Sequence, residues 1–302
     1  MGIIIDTNPE FSHEIVLAIP YANWLNERGE LDGVITSIDM KPFYYFCKDK
    51  VQENHTTRSI DNFSNGVQNL PNKFIHGTVH PEEKPGVLHY DKWLPPDYRS
   101  HYKNKRFKFK KPLIVISNRY NYEHGKFPRG FFDIEFLYKL FNYLKEYNVI
   151  YKRPKNTEFT LDVNEMMALR EGCNLQASVD GIGIIDDYEL TKYYDNVFLI
   201  NDILDENNDL SYNELQLMLF SNADGFISMA GGSAMLCSYF EKKNITYVTT
   251  SRELRKGYFC DEGYYGKLSG CKVFPVRDPE DDITKRGYRD YTELFNKIKE
   301  NF

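Results

Sequence analysis

Residues 228–240 read SMAGGSAMLCSYF, and Gly231, Gly232, Ser233 and Ala234 interrupt an otherwise apolar run there. Glycines let backbone N–H groups approach an anion closely, and a serine adds a hydroxyl. A helix opening at this point would aim its free N–H groups and positive dipole end at a phosphate. The stretch itself contains no lysine, no Gly-x-Gly repeat and no acidic residue. A bare strand-to-helix turn is the plainer reading of the same residues. The neighbours decide between the two.

Several polar groups fall where a phosphate ligand would want them. "NRYN" supplies Asn118, Arg119 and Asn121, and "YKRP" supplies Lys152 and Arg153. Arginine offers two-pronged, charge-assisted bonds to a diphosphate, although each could equally serve an internal salt bridge. Asn201 and Asp202 in "INDIL" are placed to meet a nucleotide base, and Glu253 in "TSREL" to meet sugar hydroxyls. A transfer to a hydroxyl also needs a base. All seven histidines precede residue 125. Among them His13, at a helix start that favours neutral imidazole, is the first candidate. Asp39 is the second, with Asp6, His76, His80 and His89 as rivals.

The positions of these residues depend on the elements that carry them. Ile3, Ile4 and Ile5 read as a buried strand, the loop "DTNPEF" follows, a helix starts at Ser12 with Pro20 expected to kink it, and "LDGVITS" is the next strand. That is a β-α-β unit, the mark of a parallel sheet. A second series opens at Leu113–Ser117. A helix capped by Asp133 comes next, then strands in "NVIYKRP", "NVFLI", "DGFIS" and "NITYVTT", and a helix capped by Ser211 with Glu214. A last helix begins near Tyr291. The loops between these strands and helices then leave the carboxyl ends of the strands, where open parallel sheets bind ligands, while His76, His80 and His89 fall in the irregular region 45–105. The pattern predicts an α/β fold of two Rossmann-like domains facing a cleft, 1–110 and 111–302. The closing helix is allowed to pack back on the first.

Composition narrows the function. The chain has 302 residues, 41% hydrophobic and 27% charged, as ordinary globular proteins do. A net charge of -6 argues against nucleic acid as partner. The basic stretch "KNKRFKFKK" (103–111) reads as a solvated strand edge or hinge. Five scattered cysteines suggest neither a zinc site nor a disulfide framework. No transmembrane run or signal sequence is visible, so a cytoplasmic setting is expected, with peripheral membrane contact left open.

In layout the chain resembles a GT-B glycosyltransferase, and in motif the resemblance rests on Asn118–Glu123, Tyr151–Pro154 and Ser228–Ala234. It implies a nucleotide diphosphate sugar as co-substrate, with its diphosphate on Gly231–Ala234 and with Arg119 and Arg153 as charge partners. A glycan or glycolipid acceptor on the first half is implied too, with no cofactor and no metal. Retaining members often carry a second Glu eight positions after the first. Here Asp261 occupies that place relative to Glu253, which favours inversion. Two alternatives stay open: a polysaccharide pyruvyl transferase using phosphoenolpyruvate, and a non-catalytic carbohydrate-binding protein on the same fold.

Overall fold

The structure, a computed structural model, describes residues 2–58, 90–120, 130–153, 175–249, 254, 257–259, 263–278 and 289–302. Strands β1 (Ile3–Asp6), β2 (Leu31–Ser37) and β3 (Val51–His55) form a parallel sheet in the order β1-β2-β3. The crossover from β1 to β2 is a continuous helical rod. It consists of α1 (Phe11–His13), a π-helix (Glu14–Ala18) and α2 (Ile19–Glu27).

Pro20 accounts for the π segment. It has no N–H to give the preceding turn, so carbonyls four and five residues back lose a donor. Trp93 Nε1 donates to Val16 O and the Tyr239 hydroxyl donates to Ile15 O, each at 2.6 Å. The expected kink is thus a local widening of the helix, with both freed carbonyls served by distant side chains.

The second sheet contains β4 (Leu113–Ser117), β5 (Asn148–Lys152), β8 (Val197–Leu199), β9 (Gly225–Met229), β10 (Lys243–Val248) and β11 (Val273–Arg277). All its pairs are parallel, in the order β11-β10-β9-β4-β5-β8. A short antiparallel hairpin, β6 (Gln176–Val179) and β7 (Gly183–Asp186), stands apart from it. Every residue of β4 is buried, because both faces of the sheet are covered. Leu113 and Val115 join one apolar cluster, and Ile114 and Ile116 join the other.

The helices along the chain are α3 (Tyr98–Tyr102), α4 (Ile134–Tyr143), α5 (Asp187–Thr191), α6 (Ile200–Glu206) and α7 (Tyr212–Ser221). After them come α8 (Gly232–Cys237), α9 (Tyr264–Lys267) and α10 (Thr292–Asn301). The first apolar cluster runs without a break from α2 to residues of α7 and α8. Helix α10 buries Leu294 and Ile298, one turn apart, in the other cluster, and Tyr147 donates its hydroxyl to Phe302 O. Among the described residues the closing helix therefore packs on the second sheet rather than back on the first.

The strands of the first sheet end at His55 and those of the second begin at Leu113, and we propose the boundary at 110/111. The basic stretch before it is neither strand nor free hinge. Asn222 Nδ2 donates to Asn104 O and Phe107 O at 3.1 and 3.0 Å, and Arg106 grips Asp209 through both terminal nitrogens. The strap is tied to α7 and the segment before it, leaving Lys103, Lys105, Lys108 and Lys110 exposed.

Candidate active site

Gly231 has φ 129° and ψ -167°, a backbone state open essentially to glycine alone. It serves as the residue before α8, at the carboxyl end of β9. A Cβ placed on it would lie 3.0 Å from Arg119 Nη1, and one on Gly130 would lie 2.7 Å from Arg119 Nη2. Arg119 Nε also donates to Gly130 O at 3.1 Å. Two glycines thus make the slot that holds the Arg119 guanidinium against the turn.

A second cation arrives from β5. Lys152, 3% exposed, donates from Nζ to Ser233 Oγ at 3.2 Å, with the ammonium 5.7 Å from the Phe220 ring centroid. Strand alternation explains the partner it chooses. Tyr151 points to the opposite face, and Arg153 beyond the strand end follows Tyr151. The Tyr151 hydroxyl donates to Asp187 Oδ2 at 2.6 Å, and Arg153 Nη2 to Asp187 Oδ1 at 2.7 Å. Arg153 also lies 4.1 Å from the Tyr188 ring centroid. Its guanidinium is committed inside the fold, and of the two adjacent cations it is Lys152 that meets the turn.

Beneath the turn the sheet face is polar. Ser228 Oγ donates to Asn244 Oδ1 at 2.8 Å, and Asn244 Nδ2 donates to Ala234 O and Ser238 Oγ at 3.0 Å each. These bonds pin the start of α8 to β9 and β10. Ser117 pairs in register with both Ser228 and Lys152, and its buried hydroxyl has no hydrogen-bond partner among the described residues.

The opposite wall comes from the first half. A Cβ on Gly232 would lie 3.1 Å from Phe11 Cδ1 and 3.5 Å from Ser12 N. Gly232 is therefore a close approach between α1 and α8, and Gly231 is the glycine that faces the cation. His13, one residue past Ser12, has Nδ1 3.8 Å from Glu10 Oε2 and keeps 13% of its side chain exposed.

At the sequence level no family model matches the chain, and no curated protein matches it. Among solved structures it is similar to ADP-heptose LPS heptosyltransferase II of E. coli. The two are 11% identical with a TM-score of 0.50, over 96% of this chain and 93% of that one. It is also matched to the wall teichoic acid polymerase TagF, 10% identical over 83% of this chain and 48% of that one, but a TM-score of 0.28 is too low to argue from. The chain has the GT-B fold.

On a GT-B fold the turn at Gly231–Ser233 lies at the strand ends that face the first half. Of the residues singled out from sequence, Arg119, Gly231, Gly232, Ser233 and Ala234 are brought together, and His13 stands across from them. Asn118 is fully buried and works as a clamp. Its Oδ1 accepts from Arg119 N and Phe132 N at 2.9 and 2.8 Å, and its Nδ2 donates to Phe132 O and the Tyr151 hydroxyl. It holds the two ends of the loop that carries Arg119 and has no capacity left for a ligand.

Asn201 and Asp202 open α6 beside the edge strand β8, two strands away from β4, with Asn201 buried and Asp202 exposed. Asn121, Glu253, His76, His80 and His89 lie outside the described residues. Asp39 makes its contacts elsewhere, at the start of α7. It adopts φ 62° after β2, accepts from Asn213 N at 2.9 Å, and its carbonyl accepts from Asn213 Nδ2 at 2.6 Å. It caps α7 from the other half. Burial, with Glu53 and Glu214 nearby, pushes its carboxyl up to about 6, although bonds from Ser211 and Asn213 oppose the shift.

Sequence reasoning missed two groups. Glu14, the residue after His13, and Arg58 are both buried and form an ion pair. An acid beside an apolar helical face was the only signal for Glu14, and nothing near Arg58 marked it.

Proposed function

We propose that the chain is a glycosyltransferase that moves a sugar from a nucleotide diphosphate sugar to a glycan or glycolipid hydroxyl, with inversion and without a metal. One observation carries the reading: two cations, Arg119 and Lys152, converge on the Gly231–Ser233 turn, and that turn abuts the helix start bearing His13. In this reading the donor diphosphate lies on the turn. The acceptor oxygen attacks the anomeric carbon as His13 takes its proton, and the anomeric carbon–oxygen bond to the phosphate breaks. The electron pair leaves on the phosphate oxygen, where the two cations and the backbone N–H groups stabilise it.

The test is a thermal-shift panel of nucleotide sugars on the wild type and on an Arg119→Ala/Lys152→Met double variant. A ligand at 100 times its dissociation constant adds about 2.7 kcal/mol of stability, which is readily seen. The wild type should be stabilised by its donor and the double variant should not. Stabilisation by phosphoenolpyruvate alone would transfer the site to pyruvyl chemistry, and silence across the panel would end the donor reading.

A further inference from the structure

The first turn of the helical rod carries a buried ion pair in an unusual place. Glu14 is 0% exposed, directly follows His13 and opens the π-helix. Arg58, 3% exposed, comes from the segment just past β3 and donates from Nη1 to Glu14 Oε2 at 2.5 Å. The same Nη1 donates to Pro9 O at 2.8 Å, and the guanidinium lies 5.6 Å from the Phe11 ring centroid. Glu14 Oε1 accepts from the Thr36 hydroxyl on β2 and from the Tyr44 hydroxyl at 3.0 Å.

One carboxylate therefore joins the rod to β2, to the 41–50 segment and, through Arg58, to the loop before α1. A buried pair like this is poor value as stability alone, because apolar residues of the same volume often do as well. What it provides is geometry. Pro9 O and the Phe11 ring are held from one side by Arg58, and Phe11 meets Gly232 on the other. Phe11 and Ser12, which meet Gly232, lie in the Pro9–His13 turn next to this anchor.

The arrangement of the rod makes the anchor necessary. A π segment adds a residue to the turn it occupies, which rotates everything before it relative to α2. The direction of His13 is then not dictated by the regular helix Ile19–Glu27. On the loop side Glu14 and Arg58 act beside the Phe11–Phe43 ring contact and the Glu10 carbonyl, which accepts from His13 N.

We propose that Glu14 and Arg58 are positioning residues that fix the Pro9–His13 turn, and with it the His13 imidazole, against the Gly231–Ser233 turn. The inference rests on the glycosyltransferase reading for the role of His13, but not for its geometry. A single Glu14→Gln exchange would strand Arg58 as a buried unpaired charge and could unfold the chain, so the pair is removed together.

The experiment compares wild type, Glu14→Gln/Arg58→Met and Arg58→Lys in three measurements. These are thermal midpoint, UDP and ADP affinity by calorimetry, and the proton NMR titration of His13, assigned through His13→Gln. The double variant should keep its thermal midpoint within about 3 °C of wild type, since both charges leave together. Nucleotide affinity should stay within about twofold, because the diphosphate contacts come from the other half. The His13 titration midpoint should move by about half a pH unit or more as its surroundings loosen. Arg58→Lys, which keeps the charge, should return it toward wild type. An unchanged His13 titration in a stable double variant overturns the proposal. Absence of nucleotide binding in every protein would instead strike the donor site, leaving the midpoint and NMR results to judge the positioning pair.

Discussion

Lys152 reaches Ser233 across 3.2 Å, from the end of β5 to the first turn of α8, passing the end of β4 on the way. This bond brings a buried ammonium to a turn whose own stretch of sequence contains no lysine. If the turn holds a diphosphate, Lys152→Met should keep the packing against Phe220 and lose the charge. Calorimetry should then show UDP or ADP binding weakened by roughly ten- to a hundredfold, the size of one charge-assisted bond, with nucleoside binding nearly unchanged. Equal loss for nucleoside and nucleoside diphosphate would mean that Lys152 shapes the pocket without meeting phosphate.

The two glycines should separate in their effects. Gly231→Ala forces a side chain onto φ 129° and drives its Cβ toward Arg119 Nη1, so nucleotide affinity should fall together with stability. Gly232→Ala places its Cβ against the edge of the Phe11 ring, which can shift by a few tenths of an ångström. That variant should bind nucleotide within a few-fold of wild type. Calorimetry showing Gly232→Ala as the more damaging of the two would reverse the assignment of the glycines.

Much of this architecture was legible in sequence because each half is a repeat of simple signals. Leu113–Ser117 and Leu31–Ser37 are bounded as read, and Asp133 and Ser211 do cap their helices, accepting from Phe136 N and Glu214 N. The site was legible only in part. "YKRP" offers two adjacent cations, and composition cannot say which one meets the Gly231–Ser233 turn. Period-two alternation could have done so, since Tyr151 belongs to the core beneath α4 and sends Lys152 the other way. Arg58 and Glu14 meet over 44 residues of chain, and no local pattern encodes such a pairing.

Arg153 supplies a contrasting test. Its partner Asp187 is fully buried, so Arg153→Leu would leave a carboxylate without its counter-charge. The expected cost is about 3–5 kcal/mol of stability, read by urea unfolding. Arg153→Leu/Asp187→Leu should recover a large share of it, and nucleotide affinity in that double variant should stay within a few-fold of wild type. A selective loss of diphosphate binding in the stable double variant would restore Arg153 to the donor site.

Asp39 yields a prediction in pH. Its carboxyl sits at about 6 in the folded chain against an ordinary 3.8, with burial as the main cause and Glu53 and Glu214 adding to it. The folded state therefore holds the proton more tightly than the unfolded state does. Between about pH 4 and 6 folding takes up a proton, so this group's contribution to stability is complete below about 4 and is lost as pH rises through 6. Asp39→Asn keeps an oxygen for Asn213 N and tolerates φ 62°, while removing the charge. Carboxylates other than the coupled Glu53 and Glu214 titrate alike in both proteins and cancel in the difference. The variant should melt higher than wild type at pH 7–8, and the gap should close between pH 6 and 4. Parallel melting curves across that range, with no change in the gap, would show that Asp39 carries its charge in the fold at no cost.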